Sequence, residues 1–556
     1  MATAEPAGPA VVARFHSWIG NREVEGRGGS RAAVNPSTGM AFAEATLLDA
    51  EQAAGAVASA RDAFPEWSRR SFAERGLLLQ RVHDLVFAQA EEIAALVERE
   101  QGKPAAEAHL VEVFPVLEAL AHLVRHAEEL LRDDALEGHT LLLAHKDSRL
   151  VYAPLGVVLA ITPWNYPFAI SLTGVAAALI AGNTAVLKPA PATTLIGLRI
   201  GALFREAGAP DGVVNVVAVD DALAASLVED ARVAKVVFTG SVATGRRVMA
   251  AAAKNLTPVL LELGGKDAAV VCGDADLDRA AKGIVWGAFV NAGQTCASVE
   301  RVYVEAAVAE AFTAKVVEET RRLRVGDPSR GEVDVGPMTM DRQRRLVDDH
   351  VRDAVARGAR VLVGGHPIEG PGYFYPPTVL TGVDHTMRVM REETFGPVLP
   401  IMAVASVDEA VRLANDSEYG LTASAWTRDP ERARRLEREL QAGVVTVNDC
   451  VYSYGEPTAP WGGVKHSGIG RTHGAAGLRE MVQVKYVSRE FGGGPDLWWY
   501  PYGAEFHRLM STANGALHAR SLWARISAQI RLLGFRRFWQ RTRWLGLVKH
   551  VDKLFS

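Results

Sequence analysis

Residues 156–187 read GVVLAITPWNYPFAISLTGVAAALIAGNTAVL. Gly156 to Ile161 is a short β-rich run, Phe168 to Ala181 a longer helical one, and Ala185 to Leu187 is β-rich again. The alternation continues outward, with a helix expected over Thr193 to Ala207 and strands over Val213 to Val217 and Lys235 to Phe238. Past Gly265 a second series follows: strand Ala268 to Val271, helix Ala280 to Val290, strand Arg301 to Val304, helix Val308 to Leu323, and further units to about Val447. Short apolar strands alternating with helices predict an α/β protein with doubly wound parallel sheets, which bind ligands at their strand ends.

At 556 residues the chain is too long for one core, so two or three domains are expected. A hydrophobic content of 48% and a net charge of −4 fit an ordinary α/β enzyme and give no reason to expect nucleic acid. Cys272, Cys296 and Cys450 form no CxxC pair and no zinc spacing, which points to a reducing compartment and to no metal. No signal peptide and no bilayer-spanning run is apparent, so a cytoplasmic location is expected. Residues 1–28 read as a loose leader, with a short strand over Phe15 to Val24 closed by Gly26, Gly28 and Gly29. From Asp49 to about Leu131 the pattern is helical, and Arg69, Arg70, Glu74 and Arg75 read as its wetted face. His139 to Tyr152 and Met481 to Val487 read as extended.

The chemistry centres on Glu262-Leu263-Gly264-Gly265-Lys266 and, thirty-four residues after the carboxylate, Cys296 in Gln294-Thr295-Cys296. A cysteine attacks a carbonyl as its thiolate, and a nearby carboxylate can take that proton or activate a water. Val236-Val237-Phe238 runs into Thr239-Gly240-Ser241, with Gly245 five residues after Gly240. Glycines there admit a phosphate to the free N–H groups of a helix start. The spacing is GxxxxG, not the general dinucleotide fingerprint GxGxxG.

With Pro163-Trp164-Asn165-Tyr166-Pro167, Lys188-Pro189-Ala190, Glu393-Thr394-Phe395-Gly396-Pro397 and Pro460-Trp461-Gly462-Gly463, these motifs stand in one order over about residues 30–490. The sequence resembles the aldehyde dehydrogenase superfamily. The resemblance implies a cofactor domain (29–133 and 154–262), a catalytic domain (263–474), an oligomerisation arm (134–153 and 475–490) and hence a homodimer or homotetramer. It implies oxidation of an aldehyde by attack of Cys296, with the Asn165 amide and the Cys296 N–H holding the oxyanion and Glu262 activating the water that hydrolyses the thioester. It also implies NAD contacts from Ile161, Trp164, Lys188, Gly240, Ser241, Gly245, Leu263, Glu393 and Phe395. NADP is not excluded, because Pro191 stands where NAD-preferring relatives often carry a Glu. The competing reading is a non-catalytic scaffold of the same fold, and thioesterase activity from the same thiol is a third.

Thr173 stands where relatives acting on carboxylate-bearing semialdehydes often place an Arg, so an aliphatic or aromatic aldehyde is preferred, with amino-aldehydes left open through Asp449 or Glu456. Thr472 stands where some relatives have a Glu thought to aid proton transfer. Cys272 reads as core and Cys450 as filler before a pocket role. Residues 491–556 are a basic extension: from 505 onward ten Lys and Arg stand against Glu505 and Asp552. Trp523, Trp539 and Trp544 lie among them, and Ile526, Ile530 and Leu533 share one helical face, as in an interfacial amphipathic helix. Peripheral contact with an anionic membrane and packing on the protein's own body or a neighbouring subunit are equal expectations.

Overall fold

The computed structural model describes residues 13–136, 146–490, 496 and 498–534. They form two compact units, one running to Leu131 and from Pro154 to Gln483, the other taking Arg132–Ala153 and the chain from Val484 onward.

In the first unit the expected alternation builds two large sheets. One has eight strands in the order Gly468–Ile469, Val259–Glu262, Val233–Thr239, Val157–Ile161, Thr184–Lys188, Val214–Val216, Ser17–Ile19 and Arg22–Val24. Its five central strands are parallel, and they are apolar on both faces because helices cover both. The other has seven strands, Arg360–Val363, Thr378–Thr381, Val398–Val404, Val299–Glu305, Asp267–Val271, Thr422–Trp426 and Val444–Val447, all parallel except the first pair. Cys272 is fully buried in the core beside this sheet, and Cys450 packs in the same sheet's second core.

Three expectations are corrected. The leader ends before residue 13, because Ala13–Phe15 pairs with Met40–Thr46 and Ser17–Val24 is a hairpin on the edge of the eight-stranded sheet. The turn is Gly20-Asn21, both left-handed at φ 55° and 59°, as a two-residue hairpin requires. The helical region breaks into several helices, the first two opened by capping boxes from Asp49 and Gln52 and from Ser71 and Glu74. Arg75 is not wetted: it is 4% exposed, its guanidinium 4.5 Å from the Phe72 ring, and burial lowers its pKa. Lastly, residues 475–483 belong to the first unit and not to the arm.

The second unit contains the strand Asp134–Leu136, all but the last residue of Asp147–Pro154, the strand Val482–Arg489 from Val484 onward, and the helices Ala504–His518 and Leu522–Leu532. The helices bury Leu509, Ala513, Ala516, Ala528 and Leu532 against each other. Among the described residues Ile526, Ile530 and Leu533 are exposed, and Trp523 is 80% exposed. The calls on residues 141–143, Trp539, Trp544 and the arginines from 536 onward lie outside the described residues.

Candidate active site

The strand Val259–Glu262 was not foreseen, and it sets Glu262 at the carboxyl end of the eight-stranded sheet, paired with Thr239. The chain then turns through Gly264 and Gly265 into the other sheet at Asp267. This turn lies against two groups: a Cβ on Gly264 would sit 2.4 Å from Glu393 Oε2, and one on Gly265 would sit 2.4 Å from the Cys296 carbonyl oxygen. The Gly265 N–H donates to Glu393 Oε1 at 3.0 Å. Glycines are required here because carboxylate and thiol loop both press on the backbone.

Cys296 follows a strained loop. Asn291, Ala292 and Gly293 are all left-handed, at φ 55°, 53° and 71°; an alanine held there costs about 1–2 kcal/mol. The loop is over-determined by hydrogen bonds. Gln101 Nε2 donates to Asn291 Oδ1 (2.7 Å), Asn291 Nδ2 donates to the carbonyls of Asn165 (2.9 Å) and Gln294 (3.1 Å), and the Asn291 N–H meets Glu107. Asn165 Nδ2 donates to the Gln294 carbonyl at 3.0 Å. An amide carries two N–H donors, so one of these leaves a second for a substrate oxygen. Beneath Asn165 lies a buried ion pair, Lys103 Nζ to Glu112 Oε1 at 2.6 Å, whose ammonium also donates to the Asn165 carbonyl at 3.1 Å. Glu112 Oε2 accepts from the N–H groups of Phe168 and Ala169. Gln101, Lys103, Glu107, Glu112, Asn291 and Gln294 thus fix the site from behind, and sequence reading named none of them for a role. The one local signal was Asn291-Ala292-Gly293, a pair of αL-tolerant residues flanking an alanine.

Three cavities meet at Cys296. A cleft of about 540 Å³ is bordered by Ile161, Trp164, Asn165, Lys188, Gly240, Ser241, Leu263, Glu393 and Phe395, and reaches Glu262 and Cys296. A funnel of about 310 Å³ opens through Phe114, Tyr166, Trp286, Val451, Tyr452 and Tyr454. An interior cavity of about 80 Å³ holds Glu262, Thr472, His473 and His122 on its wall. Among the described residues only Cys296 borders all three. Gly245 does not border the cleft: its absent Cβ would meet Leu263 Cδ2 at 2.6 Å, so the glycine lets the helix close on the strand. Cys450 faces the core, its Sγ 3.3 Å from the Gly283 carbonyl.

Electrostatically, burial raises the pKa of each acidic group at the site. Burial pushes the Cys296 thiol up, and Asp267, Glu262 and Glu393 push it further. Burial holds the Glu262 carboxyl well above the usual carboxylate range, against the nearby Arg471 and with the help of Glu480. Neither Glu262 oxygen has a hydrogen-bond partner among the described residues. Burial, with Glu300 adding, raises Glu393 to about 8.

The cleft has the donors that a dinucleotide needs. Ser241 caps the helix Val242–Ala252, presenting its N-terminus to the cleft for a pyrophosphate. A Cβ on Gly240 would meet the Phe238 ring at 2.6 Å, so only glycine keeps that turn tight. Lys188 is buried at the end of its strand, 3.3 Å from Asp221 Oδ1, and burial lowers its pKa. The Phe395 ring stands edge-on to Trp164 at 5.3 Å, and the N–H groups of Thr394 and Phe395 are held by buried Glu300, itself paired with Lys266 at 2.5 Å.

Two parallel sheets, a nucleotide cleft and a thiol at the base of an apolar funnel describe a covalent dehydrogenase. A sequence model of the aldehyde dehydrogenase family matches residues 24–487, and the chain belongs to that family. It is 39% identical over 474 residues to 4,4'-diapolycopene aldehyde oxidase of a Methylomonas species, covering 85% of this chain and 88% of that one. It is 37% identical over 456 residues to succinate-semialdehyde dehydrogenase [NADP(+)] 1 of Mycobacterium bovis, covering 82% and 99%. Among solved structures it superposes on lactaldehyde dehydrogenase of Escherichia coli with a TM-score of 0.82, at 34% identity, covering 86% of this chain and all of that one. An NAD-dependent aldehyde dehydrogenase of Sinorhizobium meliloti gives a TM-score of 0.83 at 36% identity, covering 88% and 97%. The protein is an enzyme that oxidises aldehydes with NAD or NADP, and not a scaffold.

Proposed function

We propose that the aldehyde is apolar, enters by the funnel and is oxidised while covalently held on Cys296. The observation that carries this is the convergence of cleft, funnel and interior cavity on that one thiol. The resting thiol is protonated, so Glu262, whose raised pKa suits it to accept a proton, takes the thiol proton as sulfur attacks the carbonyl carbon. Asn165 Nδ2 and the Cys296 N–H hold the oxygen as it becomes an oxyanion, and the Lys103–Glu112 pair keeps Asn165 in place. Lys188, Ser241 and Glu393 hold the cofactor, whose nicotinamide ring supplies the hydride acceptor. Glu262 then takes a proton from a water that attacks the resulting thioester and frees a carboxylate. Chain-length series of aldehydes with each cofactor, and Cys296→Ala as control, test the scheme: NADH or NADPH must form only with the thiol present.

The funnel favours an apolar chain. Among the described residues its one charged wall residue is Glu456, bonded to Thr458, and no Lys or Arg lines it. The Methylomonas relative, named for 4,4'-diapolycopene aldehyde, agrees with this; the mycobacterial one, named for succinic semialdehyde, does not. Rising kcat/KM with alkyl length supports the reading, and succinic semialdehyde as best substrate contradicts it.

The finer partners are proposals of the same kind. The outward face of Leu522–Leu532 carries Leu522, Trp523, Ile526 and Ile530 beside Arg525, and residues 506–551 contain no acid, a combination suited to an anionic bilayer. The full chain should sediment with phosphatidylserine vesicles at low salt, and a chain ending at Phe491 should not; equal sedimentation ends the idea. Homo-oligomerisation through the arm is tested by light scattering with Tyr486→Asp, since Tyr486 is 60% exposed on Val482–Arg489.

A further inference from the structure

Oxidation of an aldehyde to a carboxylate consumes one water and releases two protons: RCHO + NAD⁺ + H₂O gives RCOO⁻ + NADH + 2 H⁺. One proton starts on the Cys296 sulfur and the other on the attacking water, and on the reading above Glu262 receives them. Glu262 is 5% exposed, so it must hand each proton on before the next turnover. The funnel is filled by substrate and the cleft by cofactor at that stage. The interior cavity is the third opening on the same carboxylate.

Its walls are mostly apolar, and the polar groups on them include Glu262, Thr472, His473 and His122. Beyond Glu262 stand Thr472 and His473, with His473 Nδ1 3.0 Å from Thr472 Oγ1. His473 lies edge-on to Tyr454 at 4.6 Å. His122 borders the same cavity, and its Nε2 is buried with no partner among the described residues. The His122 ring is 4.9 Å from that of His126, one turn along the helix Phe114–Leu130, and His126 is exposed. The cavity's volume of about 80 Å³ exceeds the roughly 10–15 Å³ that one water needs.

We propose that this cavity is the proton exit of the enzyme: water within it carries protons from Glu262 to His473 and His122, and His126 delivers them to solvent. The proposal rests on Glu262 being the base. A neutral imidazole passes a proton by accepting at one ring nitrogen and donating from the other. The surroundings disfavour the charged form of both imidazoles. Burial, then His122, pushes His473 down to about 4, and burial, His126 and Arg125 lower His122, with Glu456 alone pulling upward. The other titratable groups that face the route are Cys296 and Tyr454, with Arg471 and Glu480 beside Glu262.

The test uses the full-length enzyme and its His473→Gln and His122→Gln variants. Proton release, read with a pH indicator in rapid mixing, is compared with NADH formation at low and high imidazole concentration. In the wild type proton release should keep pace with NADH, and imidazole should have no effect. In either variant proton release should lag and kcat should fall roughly tenfold, less than the ~10²–10⁴ of a general base itself. Imidazole should restore kcat, with the KM for aldehyde unchanged. Proton release in step with NADH in both variants overturns the proposal, as does a loss that imidazole does not relieve, which marks a packing role. Should one variant fail to fold, the other decides. Glu262→Gln in the same assay separates the two ideas: if it turns over like the wild type, the base itself is wrong, whereas an impaired Glu262→Gln beside unaffected histidine variants removes the exit alone.

Discussion

Replacing Glu262 with Gln should split the reaction into its two halves. The side chain is buried, and neither carboxylate oxygen has a partner among the described residues, so the substitution breaks no hydrogen bond there. It leaves an amide unsatisfied, at a cost of about 1–3 kcal/mol, which a folded enzyme of this size tolerates. Loss of a general base slows the step it serves by ~10²–10⁴, or about 2.7–5.4 kcal/mol of barrier. Acylation of Cys296 loses the acceptor of its thiol proton, but a thiol that ionises while cleft and funnel are still open to water can attack without it, whereas hydrolysis of the thioester, with both openings filled, has no such route. Rapid mixing of the variant with NAD and an apolar aldehyde should therefore give a burst of one NADH per subunit, then a steady rate reduced by at least about a hundredfold. In the wild type the hydrolytic rate should rise with pH, because the raised pKa of Glu262 leaves more ionised base at each step upward, and the variant should lose that rise. Steady turnover within a few-fold of the wild type, with no burst, refutes the assignment.

Three further outcomes are expected. Trp286 walls the funnel; Trp286→Ala forfeits about 50 Å² of contact with a long alkyl chain, about 1.3 kcal/mol or roughly tenfold in KM for decanal but not for propanal, read by steady-state kinetics. Asp221 borders the cleft 3.3 Å from the Lys188 ammonium; Asp221→Ala removes a charge that repels a 2′-phosphate, and at about 1 kcal/mol for such a pair in water the KM for NADP should fall roughly fivefold relative to NAD. Glu393 has its pKa raised to about 8 by burial in the folded protein, from the ordinary 4.5. Between those values the folded state binds more protons than the unfolded one, so this group's contribution is fully present below pH 4.5 and is lost as pH rises towards 8. Glu393→Gln should remove a slope of at most about 1.4 kcal/mol per pH unit over that window, seen as a variant whose melting temperature relative to the wild type improves from pH 5 to pH 8.

The alternation of apolar strands and helices made the two sheets legible, because a strand covered on both faces has to be apolar along its length. What escaped was set by distant contacts. Val259–Glu262 is four residues long and ends on a carboxylate where a buried strand would be apolar. Phe15 to Val24 read as one short strand within the leader, and its place on the large sheet was hidden because the partner strand, Val214–Val216, lies some two hundred residues away. Arg75 carries every mark of a surface residue, and only the packing around Gly182 and Pro154 buries it. In the site, Cys296, Glu262 and Asn165 were named by their motifs, but the buried charge pairs around them carry no such mark: Lys103 and Glu112 lie in a region read only as helical, and Lys266, though part of the Glu262–Lys266 motif, has nothing local to tie it to Glu300. Gly245 came to the cofactor through the resemblance, and its spacing alone does not distinguish a glycine that admits a phosphate from one that admits a leucine.

The central claim is that the acyl group is carried on one particular sulfur. Glu262→Gln enzyme mixed with NAD and an apolar aldehyde, quenched in acid within a second and digested, can be weighed peptide by peptide. The account predicts one acyl mass on the peptide containing Cys296, in step with the NADH formed, and none on those containing Cys272 or Cys450. NADH formation with that peptide unmodified, or with the label on either other cysteine, contradicts it.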